Sequence, residues 1–479
     1  MAGQKLIGLR RIGTWLNRPL ASFHLIVTIA TLLTVFGLVM VLSASSVESY
    51  VGGSSPYALF TQQLMYALLG IVLFYLALRV PIRVLRKLAF PAYAVTLVAL
   101  MLVLIPGIGV ESQGARRWFM LGPISVQPSE VAKVTLALWG AHLLASRMST
   151  RSNPIKQIMV PLVPMAILAC TLVVLQPNLS TMIALGIILV ALLWFGGLSG
   201  KLFFSITVTG IVGVVALALT AGYRSDRMKA FFNPGEDPQG IGYQSRQALY
   251  SLADGGMFGR GLGQSRAKWS YLPNSHNDFI FAIIGEETGF LGCAAVIGLF
   301  ALFAYTGMRI ATRSADPFLR LLVATATTWI VAQALINIGY VVRILPVTGL
   351  QLPLVSAGGS SLAITLLMFG IIASAARHEP EAIAALLAGQ DGRFSRMLRL
   401  PMPEAYAPGR AKVARARAAR RTPVRYPARG ELDERRRAVR VREPVGGRAA
   451  APRAGTARAS RSGAPRAASS GAMPRRART

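Results

Sequence analysis

The stretch YLPNSHNDFIFAIIGEETG, residues 271–289, carries the carboxylates whose positions most suggest chemistry. Asp278 stands at the start of an apolar segment, and Glu286 and Glu287 lie inside that segment. Ionisable groups in apolar segments of membrane-spanning length are costly and usually functional. A carboxylate near water, as Asp278 is predicted to be, is largely ionised and suited to accept a proton.

Alternative roles for this stretch remain open. Asn277 and Asp278 are both good N-cap residues, so the aspartate could cap the following helix, act as a base, or do both. His276 could equally be the base on residue type alone. Helical spacing places Glu286 on the Asp278 side and turns Glu287 away from it.

A second candidate group lies in QPSEVAK, residues 127–133. Gln127, Glu130 and Lys133 recur every three residues, and Pro128 suits the first turn of a helix. Glu130 and Lys133 can form an ion pair on one helix face. The pair is interpreted either as a structural ion pair that closes a helix bundle or as part of a binding site.

Two further connections contain residues suited to anions. Arg116 and Arg117 lie in a Gly- and Pro-punctuated connection that predicts tight turns. They are expected to hold an anionic substrate group, with lipid phosphates as the alternative partner. Ser356, Gly358 and Gly359 belong to VSAGGSS, where backbone N–H groups could cradle a phosphate or small residues could allow close helix packing.

The elements that must position these residues are membrane helices. The chain is 53% apolar with a mean hydropathy of +0.51, and a spanning helix needs about 20 apolar residues. The sequence predicts an all-α polytopic membrane protein with about ten spans. These lie at about 23–43, 59–78, 88–106, 128–146, 157–175, 179–198, 201–221, 279–308, 317–341 and 353–376.

Lys and Arg concentrate in alternate short connections, which predicts cytoplasmic N- and C-termini. We therefore expect a cytoplasmic segment at 1–22, a membrane domain at 23–378 with a large extracytoplasmic loop at 222–278, and a disordered tail at 379–479. Residues 240–254 in the loop have the spacing of a short interfacial helix.

The net charge of +32 is shared between the membrane domain and the tail. The tail is rich in Ala, Arg, Pro and Gly, a composition typical of disorder. Its arginines suit anionic lipid or an acidic protein segment, and nucleic acid is not expected as a partner. No ATP, NAD or zinc motif occurs in the sequence, so no nucleotide cofactor is predicted.

Several motifs together resemble the SEDS family of polytopic proteins. They are GARRWFMLGPISVQPSEVAK, QPNLSTM, KWSYLPNSHNDFIFAIIGEETG and INIGYVVRILPVTGLQLPLVSAGGSS, and they occur in the family's order within about residues 20–378. The resemblance implies a peptidoglycan glycosyltransferase that polymerises lipid II, an undecaprenyl-diphosphate disaccharide-peptide, outside the plasma membrane. The amino-acid sequence of the last motif and the long basic tail resemble those of actinobacterial family members that act in cell division more than those of members that act in elongation.

The resemblance also implies roles for residues. The family's essential aspartate falls on Asp278, as general base on the acceptor sugar hydroxyl, and His276 belongs to the same motif. The leaving diphosphate needs cations, and a divalent cation, Mg²⁺ or Mn²⁺, is implied without an identified site. The candidate cations are Arg116, Arg117, Lys133, Arg246 and Lys268.

The chain departs from the family pattern at three positions. Asn277 replaces a common Thr, Arg343 stands where a small residue such as Gly is expected, and Ala357 replaces a frequent Tyr.

The partners that the resemblance implies are a class B penicillin-binding protein and other division proteins at the septum, with the scaffold FtsZ as a candidate ligand of the basic tail.

Two other functions compete with the polymerase. A lipid II flippase would also be polytopic with charges in its spans, but its key charges should lie near mid-membrane. The candidates in this chain cluster at the predicted outer edge, which favours surface chemistry. A non-catalytic scaffold for a penicillin-binding protein would leave Asp278 dispensable.

Overall fold

The structure, a computed structural model, describes residues 18–51, 53, 55–112, 114–147, 154–220, 231–232, 241–266, 276–389 and 396–407. All of these except Ala407 belong to one compact unit, Met1–Tyr406. Candidate Lys268, much of the loop predicted at 222–278 and nearly all of the tail lie outside the described residues.

The described residues are mostly helical, and each predicted apolar run overlaps one long helix. The helices are α1 (Ala21–Val51), α2 (Ala58–Arg79), α3 (Ile82–Leu102), α4 (Pro128–Arg147), α5 (Pro154–Leu175), α6 (Leu179–Phe195), α7 (Gly200–Thr220), α8 (Ile241–Gly255), α9 (Ile280–Arg313), α10 (Pro317–Val341), α11 (Ser360–Arg377) and α12 (Pro380–Leu387). The short helix predicted at 240–254 is α8.

Seven helices in the described part of the chain are long and apolar enough to cross a membrane, so this is a multi-pass membrane protein. They are α1, α2, α3, α7, α9, α10 and α11. Helices α4, α5 and α6 occupy the remaining predicted spans; α5 and α6 have shorter apolar stretches. The count of ten spans therefore stays a prediction.

Helices α10 and α11 form the centre of the bundle, whereas α7 is peripheral. Helix α10 packs against α9, α4 and α6, and α11 packs against α2. Small residues allow the second contact: a Cβ added at Gly370 would lie 2.6 Å from the Phe74 carbonyl oxygen. Close backbone approach through such residues is the usual way that helices associate in lipid.

A three-stranded antiparallel sheet connects α3 to α4, where the sequence predicted only turns. Strand β1 (Val110–Ser112) pairs with β2 (Ala115–Leu121), which pairs with β3 (Ile124–Val126). The predicted turn glycines are confirmed, since Gly114 and Gly122 have φ of +73° and +64°. This sheet places β3 directly before Gln127 and the start of α4.

Helix α9 is broken at Gly289, which corrects the continuous span predicted at 279–308. Gly289 has φ 69° and ψ −168°, a conformation that ends one helix and begins another. The part after the break, residues 290–313, is about 36 Å long at 1.5 Å per residue and can cross the membrane by itself. Glu286 and Glu287 precede the break, so they need not lie deep in the bilayer as the sequence suggested.

The described structure continues past the boundary predicted at residue 378. Helix α12 follows α11 almost directly, and Arg313 forms an ion pair with Glu381 at 2.7 Å. Residues 396–406 also contact the bundle, because the guanidinium of Arg377 donates to the Pro401 carbonyl at 3.1 Å. The tail prediction of disorder is therefore wrong for these two segments.

Arg343 has the backbone conformation of a glycine, which gives the departure noted in the sequence a physical meaning. Its φ is +60°, where a side chain costs about 1–2 kcal/mol. We expect Arg343→Gly to unfold at a higher temperature in detergent than Arg343→Ala, because both remove the charge but only glycine relieves the strain. Equal melting temperatures for the two variants would contradict this.

Candidate functional site

The turn that carries Asp278 spans residues 276–279 and leads into α9. His276, Asn277 and Asp278 are partly exposed, whereas Phe279 is fully buried. The N-cap position is Phe279, which makes no side-chain cap hydrogen bond, so neither Asn277 nor Asp278 occupies the N-cap position considered for it. The Asp278 carboxylate therefore lies at a helix entrance without serving as the N-cap of that helix.

The Gly358-Gly359 segment touches the Asp278 turn. The Ala357 N–H donates to the His276 carbonyl at 3.0 Å. Gly359 has φ +53° and its N–H donates to Gln63 Oε1 at 3.3 Å. The contact brings the turn that carries Asp278 and a run of small residues to one place.

Ser356 and Gln127 join the same region through separate contacts. The Ser356 hydroxyl accepts from the Leu352 N–H at 2.8 Å, which closes the turn before the Gly358-Gly359 segment. The Gln127 N–H donates to the Ser360 hydroxyl at 3.3 Å, and Gln127 Nε2 donates to Ser129 Oγ at 2.9 Å. The start of α4 and the start of α11 therefore meet in this region.

The predicted ion pair between Glu130 and Lys133 is present and buried. Lys133 Nζ lies 2.7 Å from Glu130 Oε2, and Lys133 is 1% exposed. The same ammonium lies 5.1 Å from the centre of the Trp329 ring and 3.5 Å from Gln333 Oε1. These contacts favour the structural interpretation, because the charge already has a carboxylate, an aromatic face and an amide oxygen as partners.

The arginines predicted to bind an anion have different surroundings. Arg117 donates to the carbonyls of Gln176 at 2.9 Å and Pro177 at 2.7 Å, so it ties β2 to the α5–α6 turn. Arg116 pairs with Glu111 at 3.2 Å on the surface. Arg246 lies partly buried on α8. The Arg116 side chain is 38% exposed, so an anionic ligand can reach it beside Glu111.

Glu286 and Glu287 both bind the segment that precedes the Asp278 turn. Glu286 accepts from Ser265 Oγ and the Arg266 N–H, each at 2.6 Å. Glu287 accepts from Ser43 Oγ of α1 at 2.6 and 2.7 Å and from the Ser265 N–H at 3.4 Å. Both carboxylates therefore contact Ser265, and Glu287 also reaches α1; the placement of Glu286 on the Asp278 side stays a prediction.

The described residues do not fit a resident metal site. No cluster of three or more His, Cys, Asp or Glu side chains occurs within the described part of the chain. Glu286 and Glu287 already accept hydrogen bonds, and Glu130 pairs with Lys133. The divalent cation implied by the resemblance therefore stays a prediction, and no step is assigned to it.

Sequence reasoning missed several polar residues at this site. Gln333, Asn337 and Tyr340 occur at i, i+4 and i+7 along α10, and Gln63 lies on α2. Each is buried and hydrogen-bonded to a neighbouring connection. The signal was available, because amides at helical spacing inside an apolar span are functional candidates in the same sense as charges.

Comparisons with known proteins agree with these motifs. A sequence profile for FtsW, RodA and SpoVE proteins, described as "Cell cycle protein", matches residues 23–381. A probable peptidoglycan glycosyltransferase FtsW from Mycobacterium tuberculosis is 55% identical over 407 residues, covering 85% of this chain and 78% of that protein. Stage V sporulation protein E from Bacillus subtilis is 34% identical, covering 74% and 96%.

Solved structures with the same fold include rod shape determining protein RodA from Thermus thermophilus. That chain is 28% identical, with a TM-score of 0.54, and the match covers 77% of this chain and 99% of that one. A second structure describes the coordination of polymerization and crosslinking by a peptidoglycan synthase complex. Its matching chain is 27% identical with a TM-score of 0.60, covering 76% and 99%.

Proposed function

The chain belongs to the SEDS family of cell cycle proteins, which includes FtsW, RodA and SpoVE, and from that premise we propose that it is a peptidoglycan glycosyltransferase that polymerises lipid II during cell division. The observation that carries the proposal is the contact between Ala357 and His276, which joins the Asp278 turn to the Gly358-Gly359 segment. This contact supports a single site in which the proton acceptor, Asp278, lies near backbone N–H groups of the segment before α11.

Asp278 is the base in the proposed reaction. The hydroxyl of the acceptor sugar forms a bond to the anomeric carbon of the donor, and the bond from that carbon to the diphosphate oxygen breaks. The Asp278 carboxylate takes the hydroxyl proton, and the undecaprenyl diphosphate leaves with the bonding electrons. The partly exposed position of Asp278 lets a bulky sugar reach it, which supports the assignment.

The charge of the leaving diphosphate needs cations or backbone donors nearby. Lys133 pairs with Glu130, and Arg117 binds two carbonyls. We assign the diphosphate to the Gly358 N–H together with the other candidates, Arg116, which also pairs with Glu111 at the surface, Arg246 and Lys268. This assignment gives the small residues before α11 a role in binding the diphosphate besides their role in helix packing.

A reconstituted assay tests the proposed function. The full chain is purified with a class B penicillin-binding protein whose transpeptidase is blocked by penicillin, and lipid II is supplied with Mg²⁺ or with EDTA. We expect long uncrosslinked glycan strands that the penicillin-binding protein alone does not produce. Lipid II that crosses vesicle membranes without being polymerised would instead support a flippase.

The partner and the location are part of the proposal. We expect a transpeptidase partner because the structure of a synthase complex that polymerises and crosslinks contains a chain similar to this one. We place the protein in the plasma membrane at the division septum, with both termini in the cytoplasm, on the basis of its Lys and Arg distribution. FtsZ remains the proposed ligand of the basic tail.

Deletion of residues 408–479 should leave polymerisation unchanged but weaken recruitment to midcell. The deletion begins after the segment that contacts Arg377, so the bundle keeps those contacts, while most of the tail arginines are lost. Recruitment is measured with a fluorescent fusion. The matched control replaces Arg435, Arg436 and Arg437 with lysine, which keeps the charge. Normal septal fluorescence of the deletion variant would exclude the tail as the recruiting element.

A further inference from the structure

We propose that Tyr340 and Asn337 are positioning residues that hold the main chain of Asp278 in the place where its carboxylate acts. The proposal rests on the proposed function, in which Asp278 is the base, and adds to it two residues from another helix. Both side chains come from α10, and neither is exposed to solvent.

Tyr340 and Asn337 bind the same two carbonyls. Tyr340 Oη lies 2.7 Å from the Asp278 carbonyl oxygen and 2.8 Å from the Leu350 carbonyl oxygen. Asn337 Nδ2 lies 2.7 Å from the Leu350 carbonyl oxygen, 3.1 Å from that of Asp278 and 2.6 Å from Tyr340 Oη. The Asp278 turn and the α10–α11 connection are therefore joined at one buried point.

The hydrogens available limit how these groups are connected. The amide of Asn337 has two and the hydroxyl of Tyr340 has one, while the two carbonyls can only accept. Of the arrangements that satisfy both carbonyls and the contact between Asn337 and Tyr340, the one with the shorter distances has Asn337 donating to Leu350 and to the Tyr340 oxygen, and Tyr340 donating to Asp278. The reversed amide would place an oxygen against both carbonyls, so the contacts select this orientation. Tyr340 is thus the direct donor to Asp278.

Neighbouring contacts hold the main chain on both sides of Asp278. The Phe279 ring meets the Tyr340 ring edge-on, with centres 5.8 Å apart. The His276 carbonyl accepts from Ala357. These contacts join the entrance of α9 to α10 and to the α10–α11 connection. The result is a fixed backbone beneath a partly exposed carboxylate, which is the arrangement that preorganised catalysis requires.

Tyr340→Phe isolates the positioning role, because it removes one hydroxyl and keeps the ring. The freed N–H of Asn337 can turn to the Asp278 carbonyl, 3.1 Å away, so the fold persists with a looser turn. We expect kcat for polymerisation to fall about ten- to a hundredfold, with KM for lipid II unchanged. The loss falls on kcat because neither residue contacts the substrate in the proposed reaction.

Tyr93→Phe is the matched control. The Tyr93 hydroxyl is buried and donates to the Met165 carbonyl at 2.8 Å, the same kind of bond in a different part of the bundle. We expect Tyr93→Phe to lower the melting temperature as much as Tyr340→Phe does while leaving kcat at the wild-type value. Equal kcat values for the two variants, or a loss in Tyr340→Phe that falls on KM, would overturn the proposal.

Two further variants keep the outcome clear. Asn337→Leu removes both amide donors, and we expect it, where it folds, to lower kcat more than Tyr340→Phe; a smaller loss would overturn the assignment of Asn337 as a donor to Tyr340. Asp278→Asn tests the proposed function separately. If Asp278→Asn is inactive and Tyr340→Phe has wild-type kcat, the positioning role alone is refuted. If Asp278→Asn is fully active, the assignment of the base is refuted first.

Discussion

Asp278→Asn should lower the rate of lipid II polymerisation by about two to four orders of magnitude, the usual contribution of a general base. The substitution keeps the shape of the side chain and removes the proton acceptor. The bonds from Tyr340 and Asn337 reach the Asp278 carbonyl rather than its carboxylate, so the turn should keep its position. The loss should therefore appear in kcat, without a large change in melting temperature.

Asp254→Asn provides the matched control for this prediction. Asp254 is a carboxylate at the end of α8 that pairs with Arg260 at 3.1 Å, and its side chain is 49% exposed. Exposed pairs of this kind contribute about 0–1 kcal/mol, so activity and stability should stay close to wild type. Both variants are assayed with the penicillin-blocked partner, and product length is read on gels.

A second comparison separates Asp278 from its neighbour. His276→Gln removes the other residue in the turn that could accept a proton. We expect His276→Gln to retain more activity than Asp278→Asn, because the His276 main chain, rather than its ring, carries the bond to Ala357. If Asp278→Asn keeps more than about a tenth of wild-type activity and His276→Gln does not, the base is His276 and the proposed role of Asp278 is wrong.

The helices were largely predictable because their signals are local. Helix α10 begins and ends at Pro317 and Val341, the predicted limits, since an Asp316 cap and Pro at the first position mark its start. Spacing alone also predicted the Glu130–Lys133 pair. The break at Gly289 could not be found in this way, because glycine is common in membrane helices and no proline marks the position.

Long-range contacts created the features that the sequence did not reveal. At the break, the carbonyls of Glu286 and Glu287 accept from the N–H groups of Arg260 and Gly261, which lie 26 residues earlier in each case. Such partners replace the helical bonds that the break removes. Likewise, no local pattern connects Tyr340 with Asp278, which is 62 residues away. The candidate base was predictable from its position, but the residues that hold it were not.

Lys133→Met should destabilise the protein by about 3–5 kcal/mol, the usual cost of leaving one member of a buried ion pair without its partner. Glu130 is 7% exposed and lies 2.7 Å from Lys133 Nζ. Without the ammonium, the carboxylate must take up a proton or draw in water. The loss should appear as a lower melting temperature in detergent and a lower yield of folded protein.

The double variant Glu130→Gln with Lys133→Met distinguishes a structural pair from a substrate-binding one. Because replacing both charges removes the unpaired group, we expect its melting temperature to return most of the way to the wild-type value. The ammonium is enclosed by Glu130, Gln333 and the Trp329 ring, so polymerisation should recover together with stability. A double variant that is stable but does not polymerise lipid II would instead show that Lys133 binds the substrate, since the fold would then be intact and only the charge missing.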